Sequence, residues 1–245
     1  MTPSPEPRFA RIATTIGDPA RARMLSALMG GEYLSAGELA AAAGVAPQTA
    51  STHIARLLES DLVVLRAQGR HRYFRIADGE VAQALETLSI VAERSAGFAK
   101  WEQGAYKPLK AARTCYDHLA GELGVALFEG LRARGTLTAA DGCLALGAAG
   151  PEHLRAIGLV LPDATPARRF AYPCVDWSER RDHLAGSFAS VLLAHCLDRL
   201  WLRRSPGTRA VSLTPAGQKA LAPWLEAGVP VEPRRSTVER VRSAA

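Results

Sequence analysis

Long apolar runs are missing from this chain. No stretch of 18 or more uncharged apolar residues occurs, so no membrane-spanning helix is expected. The opening MTPSPEPRF lacks the apolar centre of a secretory signal. Together these absences point to a cytoplasmic protein with no membrane partner. Cysteine is scarce: Cys115, Cys143, Cys174 and Cys196 are the four, and none precedes residue 115. In a reducing cytoplasm structural disulfides are not expected. That leaves buried thiols, metal ligation or redox sensing as readings. No nucleophile elbow, phosphate loop or HExxH pair is present. An enzyme with an accessory DNA-binding domain therefore has little support, although Asp176 and His183 are an acid and a base by type.

Charge and helix punctuation are present in quantity. The 245 residues carry a formal net charge of +6, which fits a nucleic-acid partner without requiring one. Residues 1–7 hold three prolines and read as an unstructured arm. Residues 229–245, proline-containing and arginine-rich, read as an unstructured tail. Between them the expectation is two domains, 8–100 and 108–228. The fold class is mainly α with small β-hairpins. Phe9–Ile16 reads as a short helix stopped by Gly17. Asp18-Pro19 reads as a cap followed by proline at the first helical position. The helix it opens runs to Met29 and stops at Gly30-Gly31. Ser35 starts another that ends at Gly44, and Pro47 opens one that ends near Ser60. Leu62–Ala67 and His71–Ala77 have strand composition around Gln68-Gly69-Arg70, a hairpin turn. Glu80–Gly97 returns to helix.

That order is a winged helix-turn-helix with one extra helix at each end. On the helix after Pro47, Ala50, Ile54, Leu57 and Leu58 form one apolar stripe. Gln48, Thr49, Thr52 and Arg56 point away from it, as a helix lying in a major groove requires. Ser51 and His53 flank that face, within reach of phosphates. Arg66, Arg70, His71 and Arg72 surround the hairpin tip, where they suit backbone or minor-groove contacts.

ELAAAAGVAPQTASTHIARLLESDLV followed by GRHRYFRI resembles the ArsR-type winged-helix repressors. The likeness covers about Phe9 to Gly97, and the chain as a whole resembles a longer subgroup with a C-terminal CYDHLAG-containing extension. The resemblance implies a homodimer, with Arg8–Ile16 and Glu80–Gly97 as dimer helices. It also implies repression of a double-stranded operator, relieved by an effector. It does not carry over metal sensing. The helix Ala36–Ala43 has no cysteine, and Glu80–Gly97 has neither His nor Asp.

The second half contains an internal likeness. DHLAGELGVALFEGL begins at Asp117 and DHLAGSFASVLLAHCL at Asp182. Each is followed by a strand-like segment and a glycine-containing helix start. The expectation is two helix–hairpin–helix units related by pseudo-twofold symmetry. Cys115 and His118, three apart, would share a helix face, with His183 in the second copy. If the helices cross near Gly121 and Gly186, then Cys115, His118, Cys174, Asp176 and His183 converge. Such a cluster suits a thiophilic metal or a reactive thiol. The plain alternative is helix packing, with Asp pairing to Arg113 or Arg180. A small-molecule pocket lined by Trp101, Tyr116, Phe128, Trp177 and Trp201 is the third reading. A DNA-binding architectural protein with no effector would need no pocket at all.

Overall fold

The computed structural model describes residues 8–96, 107–140, 143–162 and 168–226. The arm at 1–7, the tail at 229–245 and Trp101 lie outside the described residues.

The first domain consists of α1 (Arg8–Ile16), α2 (Pro19–Leu28), β1 (Leu34–Ser35), α3 (Ala36–Ala43), α4 (Pro47–Glu59), β2 (Val63–Gln68), β3 (His71–Ile76) and α5 (Gly79–Ala96). Local chemistry sets these boundaries. The Asp18 carboxylate accepts from the Ala20 and Arg21 N–H groups, both at 3.0 Å, and Pro19 starts α2 where a missing N–H costs nothing. Ser35 and Glu38 cap α3 reciprocally. Gly44, at φ 66, ends α3 in the left-handed region and redirects the chain into α4. The short β1 is an element that the sequence pattern does not announce. It pairs with β3, giving an antiparallel sheet of order β1-β3-β2. Met24, Leu28, Leu39, Ala43, Ala50, Leu57 and Ile76 are fully or almost fully buried between α2, α3, α4 and the sheet. Each large side chain there contributes roughly 1.5–3 kcal/mol.

The second domain runs α6 (Lys107–Ala111), β4 (Arg113–Cys115), β5 (His118–Ala120), α7 (Gly121–Ala133), β6 (Leu137–Ala140), β7 (Cys143–Leu146), α8 (Gly150–Ala156), β8 (Tyr172–Val175), β9 (Asp182–Ala185), α9 (Ser187–Asp198), β10 (Leu202–Arg204), β11 (Val211–Leu213) and α10 (Pro215–Leu225). The succession hairpin, helix, hairpin, helix thus occurs twice. The DHLAG boxes are not helical, contrary to expectation. His118–Ala120 and Asp182–Ala185 are strands, and the glycine that follows each turns strand into helix. Gly121 sits at φ 81, and a Cβ there would lie 2.6 Å from the Lys110 carbonyl oxygen. Gly186 sits at φ 106, where a Cβ would lie 2.5 Å from the Phe170 carbonyl oxygen. These glycines serve tight strand-to-helix turns, not a crossing of two helices.

The two domains meet where the β4–β5 turn lands on the end of α2. The Tyr116 N–H donates to the Met29 carbonyl at 2.9 Å, and the Thr114 hydroxyl donates to the Gly30 carbonyl at 3.2 Å. Arg204 donates to the same Gly30 carbonyl at 3.0 Å. Behind this seam, Glu86 of α5 is 2% exposed. It lies 3.6 Å from Arg113 and 3.4 Å from Arg209.

Candidate functional site

The chain presents two candidate surfaces. The first is the outer face of α4. Gln48, Thr49, Ser51, Thr52 and Arg56 are exposed, while Ala50, Ile54 and Leu57 seat the helix on the core. The Ser51 hydroxyl donates to the Pro47 carbonyl at 3.0 Å. His53 departs from the sequence expectation. Its ring is 16% exposed and its Nδ1 lies 3.6 Å from Asp18 Oδ1 and 3.3 Å from an Arg21 nitrogen. It ties α4 to the start of α2 and is turned away from the exposed face.

The β2–β3 hairpin pairs in register from Val63 opposite Ile76 to Gln68 opposite His71, leaving Gly69-Arg70 as a two-residue turn. Gly69 has φ 59, which a turn this tight demands. Arg70, His71 and Arg72 are exposed at the tip. Arg66 is exposed nearer the base, its guanidinium 5.6 Å from the Tyr33 ring centre and sharing that ring with Arg75. Stacking holds Arg66 beside β1, so the free basic tip is Arg70, His71 and Arg72.

The second surface is internal. Cys115 faces His118 across β4–β5, and Cys174 faces His183 across β8–β9. Each hairpin therefore presents one thiol and one imidazole from directly paired positions. β5 and β9 lie against one another, and the four donor atoms all fall within 4.8 Å of one another in a buried cluster. These four side chains are among those the sequence marks as convergent, but cross-strand pairing brings them together and a shared helix face does not. The signal available was Tyr116-Asp117, two residues between Cys115 and His118, which is a hairpin turn length.

Asp176 is beside the cluster but outside the four. Its Oδ1 accepts from Arg113 at 2.8 Å, from the Ser178 N–H and hydroxyl at 2.9 and 2.8 Å, and from the Glu179 N–H at 3.1 Å. Its Oδ2 accepts from the Gly121 N–H at 2.7 Å and lies 3.4 Å from His183 Nδ1. Burial raises the Asp176 pKa, but Arg113, His183 and the Gly121 N–H hold it well below the usual carboxylate value. Asp117 holds the same place behind His118, 3.3 Å from its Nδ1, and is anchored by Arg168 at 2.6 Å. The two Nε2 atoms then face each other at 3.2 Å. Burial and the neighbouring His118 hold His183 at about 3, so it is neutral at pH 7. Burial opposes charge on His118, but Cys115 and Asp117 outweigh it and lift the group to about 9. The Cys115 thiol is pushed well up, first by its hydrogen bond with Cys174 and then by burial.

Among the described residues, Tyr116, Phe128, Trp177 and Trp201 do not line one common pocket. Trp177 lies under the Arg113 guanidinium at 4.2 Å, Trp201 packs edge-on to His195, and Tyr116 is at the domain seam. Phe128 does line an apolar space with Leu119, Leu131, Leu184 and Leu193, but its volume is about 20 Å³. That is room for one water and far below what an organic inducer needs. A cleft of about 330 Å³ lies instead between α2 and α5 of the first domain, with Arg209 of the second domain at its wall, lined by Ile16, Leu25, Met29, Leu85, Leu88 and neighbours.

Residues 16–66 match the model of a helix-turn-helix domain. The chain is 39% identical over 215 residues to the uncharacterized HTH-type transcriptional regulator YdfF of Bacillus subtilis, covering 87% of this chain and 95% of that protein. Against the HTH-type transcriptional regulator CmtR of Mycobacterium tuberculosis it is 36% identical over 83 residues, 34% of this chain and 70% of that one. Among solved structures it is similar to the homodimeric winged helix-turn-helix domain of Mb0332 from Mycobacterium bovis, described as a possible ArsR-family regulator. That match has 27% identity and a TM-score of 0.35, covering 37% of this chain and 82% of the other. The CmtR likeness covers about a third of this chain, whereas the YdfF likeness extends well into the second domain. The chain belongs to the family of HTH-type transcriptional regulators that includes YdfF.

Proposed function

We propose that the protein is a homodimeric transcriptional repressor that binds a double-stranded operator through α4 and the β2–β3 wing and is released by an effector bound in the second domain. The observation that carries this reading is the exposed polar face of α4 beside a basic hairpin tip. Small hydrogen-bonding groups and one arginine suit base edges, and Arg70, His71 and Arg72 suit phosphates. The dimer follows from apolar side chains that one copy leaves uncovered. Phe9 on α1 is 71% exposed, and Leu88 and Val91 on α5 are 47% and 50% exposed. A second copy packed on α1 and α5 covers all three while setting two α4 helices about one DNA turn apart. The proposed release mechanism rests on the seam at Met29–Gly31, where the second domain touches the end of a helix that packs on α3 and α4. In vitro selection from a random duplex pool with the full chain tests the reading. The enriched sites should be inverted repeats with half-sites about 10 base pairs apart. Enrichment of no motif would contradict it.

A further inference from the structure

The cluster of Cys115, His118, Cys174 and His183 satisfies several independent conditions at once. Its donor set is two sulfurs and two imidazole nitrogens, the set that soft d10 ions take in closed tetrahedral sites. The Nε2–Nε2 separation of 3.2 Å is close to the edge of a tetrahedron whose metal–nitrogen bonds are about 2.0–2.1 Å. Both imidazoles turn Nδ1 toward a carboxylate, His118 toward Asp117 and His183 toward Asp176. Each carboxylate is itself anchored, by Arg168 and by Arg113. Carboxylate–histidine pairs of this kind orient metal-bound imidazoles. The charge also balances, since two thiolates and two neutral imidazoles around a divalent cation sum to zero. Neutrality matters in a buried site, where an uncompensated charge is costly.

We propose that these four residues bind one soft divalent metal ion, of the Zn²⁺ or Cd²⁺ class, in a closed tetrahedral Cys2His2 site, and that this ion is the effector of the repressor. The second part rests on the reading given under Proposed function. The ion enters as the two thiol protons and the extra proton on the His118 imidazole leave, and no bond to carbon forms or breaks. Two routes lead from the site to the DNA-binding domain. Cys115 and His118 flank Tyr116, whose N–H is bonded to the Met29 carbonyl at the end of α2. Pulling the two ligands onto a metal sets the position of that turn. His183 is backed by Asp176, which pairs with Arg113, which lies 3.6 Å from Glu86 on α5. The ion is thereby linked to both the helix-turn-helix and the helix that carries the exposed apolar face.

Titration of the reduced full chain with Co²⁺ tests the site. A tetrahedral site with two thiolates gives intense visible ligand-field bands and a thiolate charge-transfer band, saturating at one equivalent per chain. Zn²⁺ should displace the cobalt and bleach the spectrum. Cys174→Ser and His183→Gln should lose or shift these bands, while Cys143→Ser, half-buried in β7 and outside the cluster, should keep them. X-ray absorption on the Zn²⁺-loaded wild-type chain avoids dependence on variants that fold poorly. It should count two sulfurs at about 2.3 Å and two nitrogens at about 2.0–2.1 Å. No binding, an octahedral spectrum, or a shell without sulfur overturns the site. Operator affinity on the same samples separates the two claims. A fall of about tenfold or more on metal addition, lost in Cys174→Ser, supports the effector role. Tetrahedral binding with unchanged operator affinity overturns that role and leaves the site standing. Absence of metal binding in a chain that still binds its operator overturns the site and leaves the repressor standing.

Discussion

Gly31 carries more of this architecture than its size suggests. It sits at φ 79, and a Cβ there would lie 2.0 Å from the Tyr116 carbonyl oxygen, a backbone atom of the second domain. Gly69 in the wing turn also has positive φ, but a methyl group added there would have nothing within 4 Å. Gly69→Ala should therefore cost only the left-handed penalty, about 1–2 kcal/mol. Gly31→Ala must in addition push the domain seam apart and should cost clearly more in urea unfolding. Equal losses in the two variants would mean that the seam yields freely. At this scale the sequence is a good guide to residue type and a poor one to the reason for it. Cys115, His118, Cys174 and His183 are recognisable as a convergent set because their chemistry is unusual in an apolar chain. The role of Asp176 is not recognisable, because nothing local shows that Arg113, Ser178 and Gly121 will occupy both its oxygens. His53 likewise looks like a phosphate contact until Asp18 and Arg21 are seen beside it.

Elements with strong punctuation follow the sequence closely. Asp18-Pro19, Ser35 with Glu38, and Gly44 each act through bonds within four residues, so α2, α3 and α4 are legible from local chemistry alone. The DHLAG segments are not, because three- and four-residue strands are stabilised by their cross-strand partners, which lie outside the local window. Their apolar spacing fits a helix equally well. For the α4 face, Thr52→Ala and Arg56→Ala should each weaken binding to the selected operator by about 1–3 kcal/mol. Fluorescence anisotropy with labelled duplex reads this directly, and wild-type affinity in both variants would remove α4 from the groove. Joint replacement of Arg70 and Arg72 by alanine should weaken specific and nonspecific duplexes alike. It should also flatten the slope of log affinity against log salt by roughly 2, one per phosphate contact. An unchanged slope would place the tip away from DNA.

For the whole molecule, the apolar residues on α1 and α5 make a statement about assembly. Phe9, Leu88 and Val91 stay exposed in a single copy although both helices carry apolar stripes. Light scattering of the wild-type chain should give twice the chain mass at micromolar concentration, and Leu88→Glu should reduce it to the mass of one chain. A wild-type monomer would contradict the arrangement of two α4 helices along one duplex. Sequence-specific DNA binding comes down to one ratio. It is the affinity of the full chain for a selected inverted repeat divided by its affinity for a scrambled duplex, at one fixed salt concentration. For a sequence-specific repressor that ratio should be about a thousand or more. A ratio near one would leave only nonspecific attraction between a basic chain and phosphate, and would contradict sequence-specific binding.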